Sequence, residues 1–152
     1  MAMPLAPTPA ETLASRPRTV GEVERLYAAA MGDYAQGRYM PAAMTLLGLI
    51  FIDPSQARFF KGVAACMQLS GKYQQAAMGY ATAYSLQPED ATILFYLAQC
   101  FMGVGGWMQA SEAAQTFLDE TAGSEAHADM RSQALGIVKS AAKKMHSKES
   151  MP

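Results

Sequence analysis

The chain repeats itself every 34 residues. Gly37, Gly71 and Gly105 form one column of the repeat, and Tyr39, Tyr73 and Trp107 form a second. Ala30, Ala64 and Ala98 make a third, and Ala42, Ala76 and Ala110 a fourth. Pro54 and Pro88 make a fifth, which ends at Ala122. A fixed period of this size means one supersecondary unit copied and stacked, because a single unit cannot bury its apolar face alone.

Each column has a physical reason. The first half of the unit is apolar at helical spacing: Leu26, Ala29 and Ala30, then Phe60, Val63, Ala64 and Met67, then Leu94, Leu97, Ala98 and Phe101. The small alanine lets a partner helix approach, and the glycine takes the left-handed conformation that ends a helix. The aromatic starts a second helix, which buries Ala42, Leu46 and Leu49, or Ala76, Tyr80 and Ala83, or Ala110, Ala114 and Phe117. Asp53-Pro54 and Gln87-Pro88 stop that helix, since a residue before proline is pushed out of the helical region. Thr19 and Glu22 read as a capping box. The expected helices are 20–36, 39–52, 55–70, 73–86, 90–104 and 107–121, with a seventh over 125–146 that is apolar at Met130, Ala134, Leu135, Ile137, Val138 and Ala141.

Period and layout together resemble the tetratricopeptide repeat. The fold class is therefore all-α: a tetratricopeptide-repeat superhelix of three helix pairs with a C-terminal capping helix. The expected organisation is a flexible tail over 1–18, a domain over 19–146 with repeats at about 23–56, 57–90 and 91–124 and the capping helix 125–146, and a flexible tail over 147–152.

Charge narrows the function. The net charge of the 152 residues is −1. Residues 21–122 carry five Lys or Arg against nine Asp or Glu, while Lys139, Lys143, Lys144 and Lys148 cluster near the end. No basic face of the kind a nucleic-acid binder shows is evident. The run from Ala42 to Ile52 is far short of the roughly 20 residues that span a bilayer, so direct membrane insertion is not expected. Residues 1–18 lack the pattern of a secretory signal, which places the chain in the cytoplasm as an expectation.

Chemistry is sparse. Cys66 and Cys100 are one repeat apart and read as buried core thiols. His127 and His146 read as sharing the last helix, too far apart along it to hold one metal. No phosphate loop, zinc-protease motif or nucleophile–base pair is present. The expectation is a non-enzymatic chain with no catalytic residue, no metal and no cofactor. Methionine is abundant, at twelve, and Met40, Met44, Met67 and Met78 read as core or inter-helix residues.

Binding is expected in the concave face that first helices line. Its side chains are first-helix positions outside the packing columns. These are Glu24, Tyr27, Met31 and Tyr34, then Arg58, Lys61, Ala65 and Gln68, then Thr92, Phe95, Gln99 and Met102. Aromatics, thioethers and a few polar groups suit an extended peptide with apolar anchors. Packing of Tyr27 and Tyr34 against the N-terminal segment is the alternative. The chain contains no asparagine, so it lacks the Asn and Lys/Arg clamp by which some such domains hold a C-terminal carboxylate.

More specific phrases carry a closer resemblance. They are Leu26-Tyr27, the stretch from Tyr34 to Tyr39, the stretch from Ser55 to Phe60, Gly62-Val63-Ala64-Ala65-Cys66, Gly71-Lys72-Tyr73 and Ala98-Gln99-Cys100. From Leu26 to Glu112 the chain resembles the class II type III secretion chaperones of the LcrH/SycD kind. The resemblance implies a bacterial cytoplasmic chaperone that binds two hydrophobic translocator proteins and keeps them soluble and apart before secretion. It implies a groove taking an extended Pro/Val-x-Leu-x-x-Pro-like segment, with Tyr27, Tyr34 and Tyr39 matching aromatic groove positions of the family. Tyr80 matches another family tyrosine, although its column favours core packing equally. An AraC-type transcription activator is a further family partner, and many members self-associate through the N-terminal helical region, so a homodimer is an expectation. The alternative is a generic tetratricopeptide scaffold or adaptor for assembly of another protein complex.

Overall fold

The computed structural model describes residues 2–9 and 19–149. Among them run seven α-helices and no strand: α1 Val20–Ala35, α2 Tyr39–Ile52, α3 Ala57–Leu69, α4 Tyr73–Leu86, α5 Thr92–Gly103, α6 Trp107–Glu120 and α7 Ala128–Glu149. A 3-10 turn over Glu125–His127 leads into α7. The expected tail is described only in part, since residues 1 and 10–18 lie outside the described residues, as do 150–152. Its described portion, residues 2–9, is exposed. Helix α7 continues through the expected C-terminal tail as far as Glu149.

Each helix packs on the next in the chain, and α7 also reaches α5. The small-residue column is fully buried at Ala30, Ala64 and Ala98, and so are Ala42, Ala76 and Ala110 opposite it. Helix ends follow from backbone chemistry. Gly37, Gly71 and Gly105 have φ of 79°, 77° and 77°, the left-handed region. Each lets the next N–H turn back to the helix: Arg38 to the Asp33 carbonyl at 2.8 Å, Lys72 to Met67 at 2.8 Å, Gly106 to Phe101 at 2.9 Å. At the entry, Thr19 Oγ1 accepts from the Glu22 N–H at 3.2 Å.

Helix α7 caps the array. Ala134 is buried against Leu94, Phe95, Phe117 and Leu118, with Met130, Ile137 and Val138 packed around them. Arg131 Nη1 donates to the Leu118 carbonyl at 2.6 Å and to Thr121 Oγ1 at 2.7 Å. A cation is thus placed at the carbonyl end of α6, where the helix dipole favours it. Cys66 and Cys100 are both buried and free. Burial pushes both thiols up, Cys100 to about 11.

Several expectations are corrected. Met40, Met44 and Met78 are exposed, and only Met67 of the four packs on the core. Ala29 and Leu135 are exposed rather than buried. His127 lies in the 3-10 turn before α7, its Nδ1 2.7 Å from Ser124 Oγ and its ring edge-on to Phe117, so the two histidines do not share a helix.

Candidate binding groove

Helices α1, α3 and α5 line a groove of about 390 Å³. Tyr27, Met31 and Tyr34 enter it from α1, at the i, i+4, i+7 spacing of one helix face. Arg58, Lys61, Ala65 and Gln68 enter from α3, and Gln99 from α5. Eight of the eleven sequence-derived candidates therefore share one concavity. Met102 lies in a neighbouring hollow of about 530 Å³ between α3, α5 and α7, which Gln68, Tyr73, Gln99, Gly103, Gln133 and Ile137 also line.

Two candidates fall elsewhere. Tyr39 is absent from the lining and packs its ring on Tyr34, centroids 5.8 Å apart, so it braces a groove side chain. Phe95 is only 3% exposed and packs against Phe117 and Tyr96. It occupies the repeat position of Tyr27 and Lys61, but α7 packs beside α5 and covers that face. Of the other two positions read as groove lining, Glu24 pairs with Arg58, and Thr92 donates its hydroxyl to Asp90.

The cations of the groove are already paired. Arg58 holds Glu24 with both Nη atoms, donates from Nε to Gln56 Oε1 at 2.7 Å, and stacks its guanidinium 4.5 Å over the Tyr27 ring. The Arg58 hydrogen bond holds the Glu24 carboxyl below its ordinary value. Lys61 Nζ lies 2.9 Å from Asp90 Oδ2. Burial pushes the Asp90 carboxyl up, but the hydrogen bonds from Thr92 and Lys61 outweigh it and hold the group below the usual range.

Neutral polar groups cross the centre. Tyr80 donates its hydroxyl to Gln68 Oε1 at 2.9 Å, and Gln68 Nε2 donates to Gln99 Oε1 at 2.9 Å. Tyr80 is stacked on Tyr96, centroids 5.6 Å apart and planes 18° off parallel. Burial pushes the Tyr80 phenol up and keeps it neutral.

Tyr96, Gly62 and Leu69 were missed from the lining, and Tyr80 was left undecided. Tyr96 was legible on one signal: counting back three from Gln99 reaches Tyr96, whose polar tip suits a wet groove, while counting back four reaches Phe95. Tyr80 belongs both to the core and to the groove floor, since its ring is buried while its hydroxyl reaches Gln68.

No protein-family model matches the chain. Low calcium response locus protein H of Yersinia pestis is 30% identical over 88 residues, 58% of this chain and 52% of that protein. The matched region thus spans about half the length of the curated relatives. Among solved structures, the type III secretion chaperone SycD of Yersinia enterocolitica, in complex with a peptide of the translocator YopD, superposes with a TM-score of 0.79. The match covers 84% of this chain and 97% of that one at 22% identity. PcrH, a Pseudomonas aeruginosa protein, solved with the chaperone binding region of PopB, gives a TM-score of 0.74 over 80% and 98% of the two chains at 25% identity. SycD is a type III secretion translocator chaperone, and this chain shares its all-helical fold.

Proposed function

We propose that this chain is a cytoplasmic chaperone of a bacterial type III secretion system. It holds an extended apolar segment of a translocator in the groove between α1, α3 and α5, and so keeps two hydrophobic translocators soluble and apart before export. The observation that carries the reading is the groove's chemistry. Tyr27, Met31, Tyr34, Ala65 and Tyr96 offer apolar surface, while Arg58 and Lys61 are occupied by acids of the chain itself. A neutral, apolar, extended client fits that lining, and a charged chain end does not. Burying such a segment stabilises the complex by about 25 cal/mol per Å² of apolar area, less the cost of ordering it. No bond is made or broken, so neither catalyst nor cofactor enters the reading.

The test is a titration of a fluorescent Pro-x-Leu-x-x-Pro peptide into wild type and Ala65→Glu, with helicity followed by circular dichroism. Ala65 is half-buried in the groove. Saturable binding to wild type, lost in a variant of unchanged helicity, is the expected result. Absence of binding to wild type sinks the groove reading and favours a scaffold that docks stable partners on another surface.

We further assign the homodimer expectation to α2. This helix contains no charged side chain, and a helix apolar on all sides is one that gets buried. Yet Met40, Met44, Leu47 and Phe51 are exposed, Phe51 by 69%. Their spacing of four, three and four residues is that of a coiled-coil seam. The equivalent positions are Gln74, Met78, Ala81 and Ser85 in α4, and Met108, Glu112, Gln115 and Asp119 in α6. Neither keeps an unbroken apolar stripe. A self-complementary seam of this kind suits a second copy related by a twofold axis.

A further inference from the structure

Gln68 and Gln99 line both the main groove and the hollow beside α7. They form the crossing between the two. An extended chain that occupies both concavities must pass over this pair and carry its backbone peptide groups with it. A peptide group taken from water without a partner costs free energy comparable to a lost hydrogen bond.

The crossing is built to supply that partner. Tyr80, anchored by its buried ring and by stacking on Tyr96, donates to Gln68 Oε1. That bond turns the Gln68 amide so that its Nε2 donates to Gln99 Oε1. Gln99 is left with the two hydrogens of its own Nε2, and among the described residues nothing in the chain accepts from them. The relay starts at a buried phenol and ends at an open donor, and every charged group lining the groove is paired elsewhere. A neutral amide donor matches a peptide carbonyl and is indifferent to side-chain identity, whereas an ammonium would favour a carboxylate.

We propose that Gln99 donates a hydrogen bond to a backbone carbonyl of the client where it crosses from the α1–α3–α5 groove into the α5–α7 hollow, with Gln68 and Tyr80 as positioning residues. This rests on the groove reading and deepens it. The groove selects an extended neutral backbone at this crossing as well as apolar side chains along its length. A client that is helical at the crossing has its carbonyls satisfied internally and is disfavoured.

The experiment is an ester scan. Each non-proline amide of the fluorescent Pro-x-Leu-x-x-Pro peptide is replaced in turn by an ester, whose carbonyl is a weaker acceptor. Affinities are measured for wild type, Gln99→Met and Tyr80→Phe, each checked for unchanged helicity and melting. In wild type, one ester position is expected to weaken binding about two- to tenfold, the range of one net hydrogen bond. Gln99→Met weakens the all-amide peptide by a similar factor and abolishes the penalty at that position. Tyr80→Phe reduces the penalty, an effect that loss of packing alone would not produce. Wild type that binds every ester as it binds the amide, or a penalty that persists in Gln99→Met, overturns the proposal while the groove reading stands. No binding of any peptide by wild type overturns both.

Discussion

Glu24 and Arg58 occupy the same position of successive repeats, 34 residues apart, and pair with each other. The pair joins the first helices of two repeats at the rim of the groove. Its guanidinium also lies over Tyr27, so a contact between repeats orients a groove aromatic. Lys61 and Asp90 repeat the idea one step on, joining α3 to the turn before α5.

The second pair makes stability depend on pH. The Asp90 carboxyl sits below its ordinary value in the folded chain, so the unfolded chain binds protons more readily in acid. Its contribution is present above the unfolded pKa of about 3.9 and is lost as pH falls through the lower folded value. The melting temperature of wild type is expected to fall as pH drops below about 4, and Asp90→Asn to flatten part of that fall. Parallel acid profiles for the two proteins would remove Asp90 from the account.

Two glycine substitutions are expected to act with opposite sign. Gly71 has φ 77°, where a Cβ is strained whatever the space, so Gly71→Ala destabilises by about 1 kcal/mol in urea unfolding. Gly32 lies inside α1, and a Cβ built on it meets nothing within 4 Å. Gly32→Ala is expected to stabilise by about 0.5–1 kcal/mol, the helix-propensity difference.

The seam on α2 is testable by mass. Met44→Lys with Phe51→Lys places two charges on a stripe that faces outward, so folding is unaffected and self-association is lost. Sedimentation equilibrium is expected to show a concentration-dependent dimer for wild type and a monomer for the variant. A wild type that stays monomeric at all concentrations leaves the stripe to another partner.

Helix number and order, and most of the bounds, were readable because the local signals agree; the last helix, expected over 125–146, instead runs Ala128–Glu149. Gly37, Gly71 and Gly105 mark where the backbone reverses, and Ala30, Ala64 and Ala98 mark where helices touch. Both follow from steric rules within a few residues of the chain. Most of the groove was readable for the same reason, since Tyr27, Met31 and Tyr34 share a face by helical geometry alone. The methionines misled because a side chain's apolarity does not say which of two faces of its helix meets the core. Met40 and Met44 lie on an outer face of α2, while Leu46 and Leu49 of the same helix are buried.

The residue order by itself determined the repeat, the turns and the face each first helix turns inward, because each depends on backbone conformation and spacing. Only the tertiary structure decided how equivalent positions diverge. Tyr27, Lys61 and Phe95 hold the same place in three repeats, yet the first two line the groove and the third is buried. The difference comes from α7, which packs beside the last repeat and covers a face that the earlier repeats leave open. The relay from Tyr80 through Gln68 to Gln99 was likewise hidden, since it joins three helices whose side chains meet only after the array has stacked.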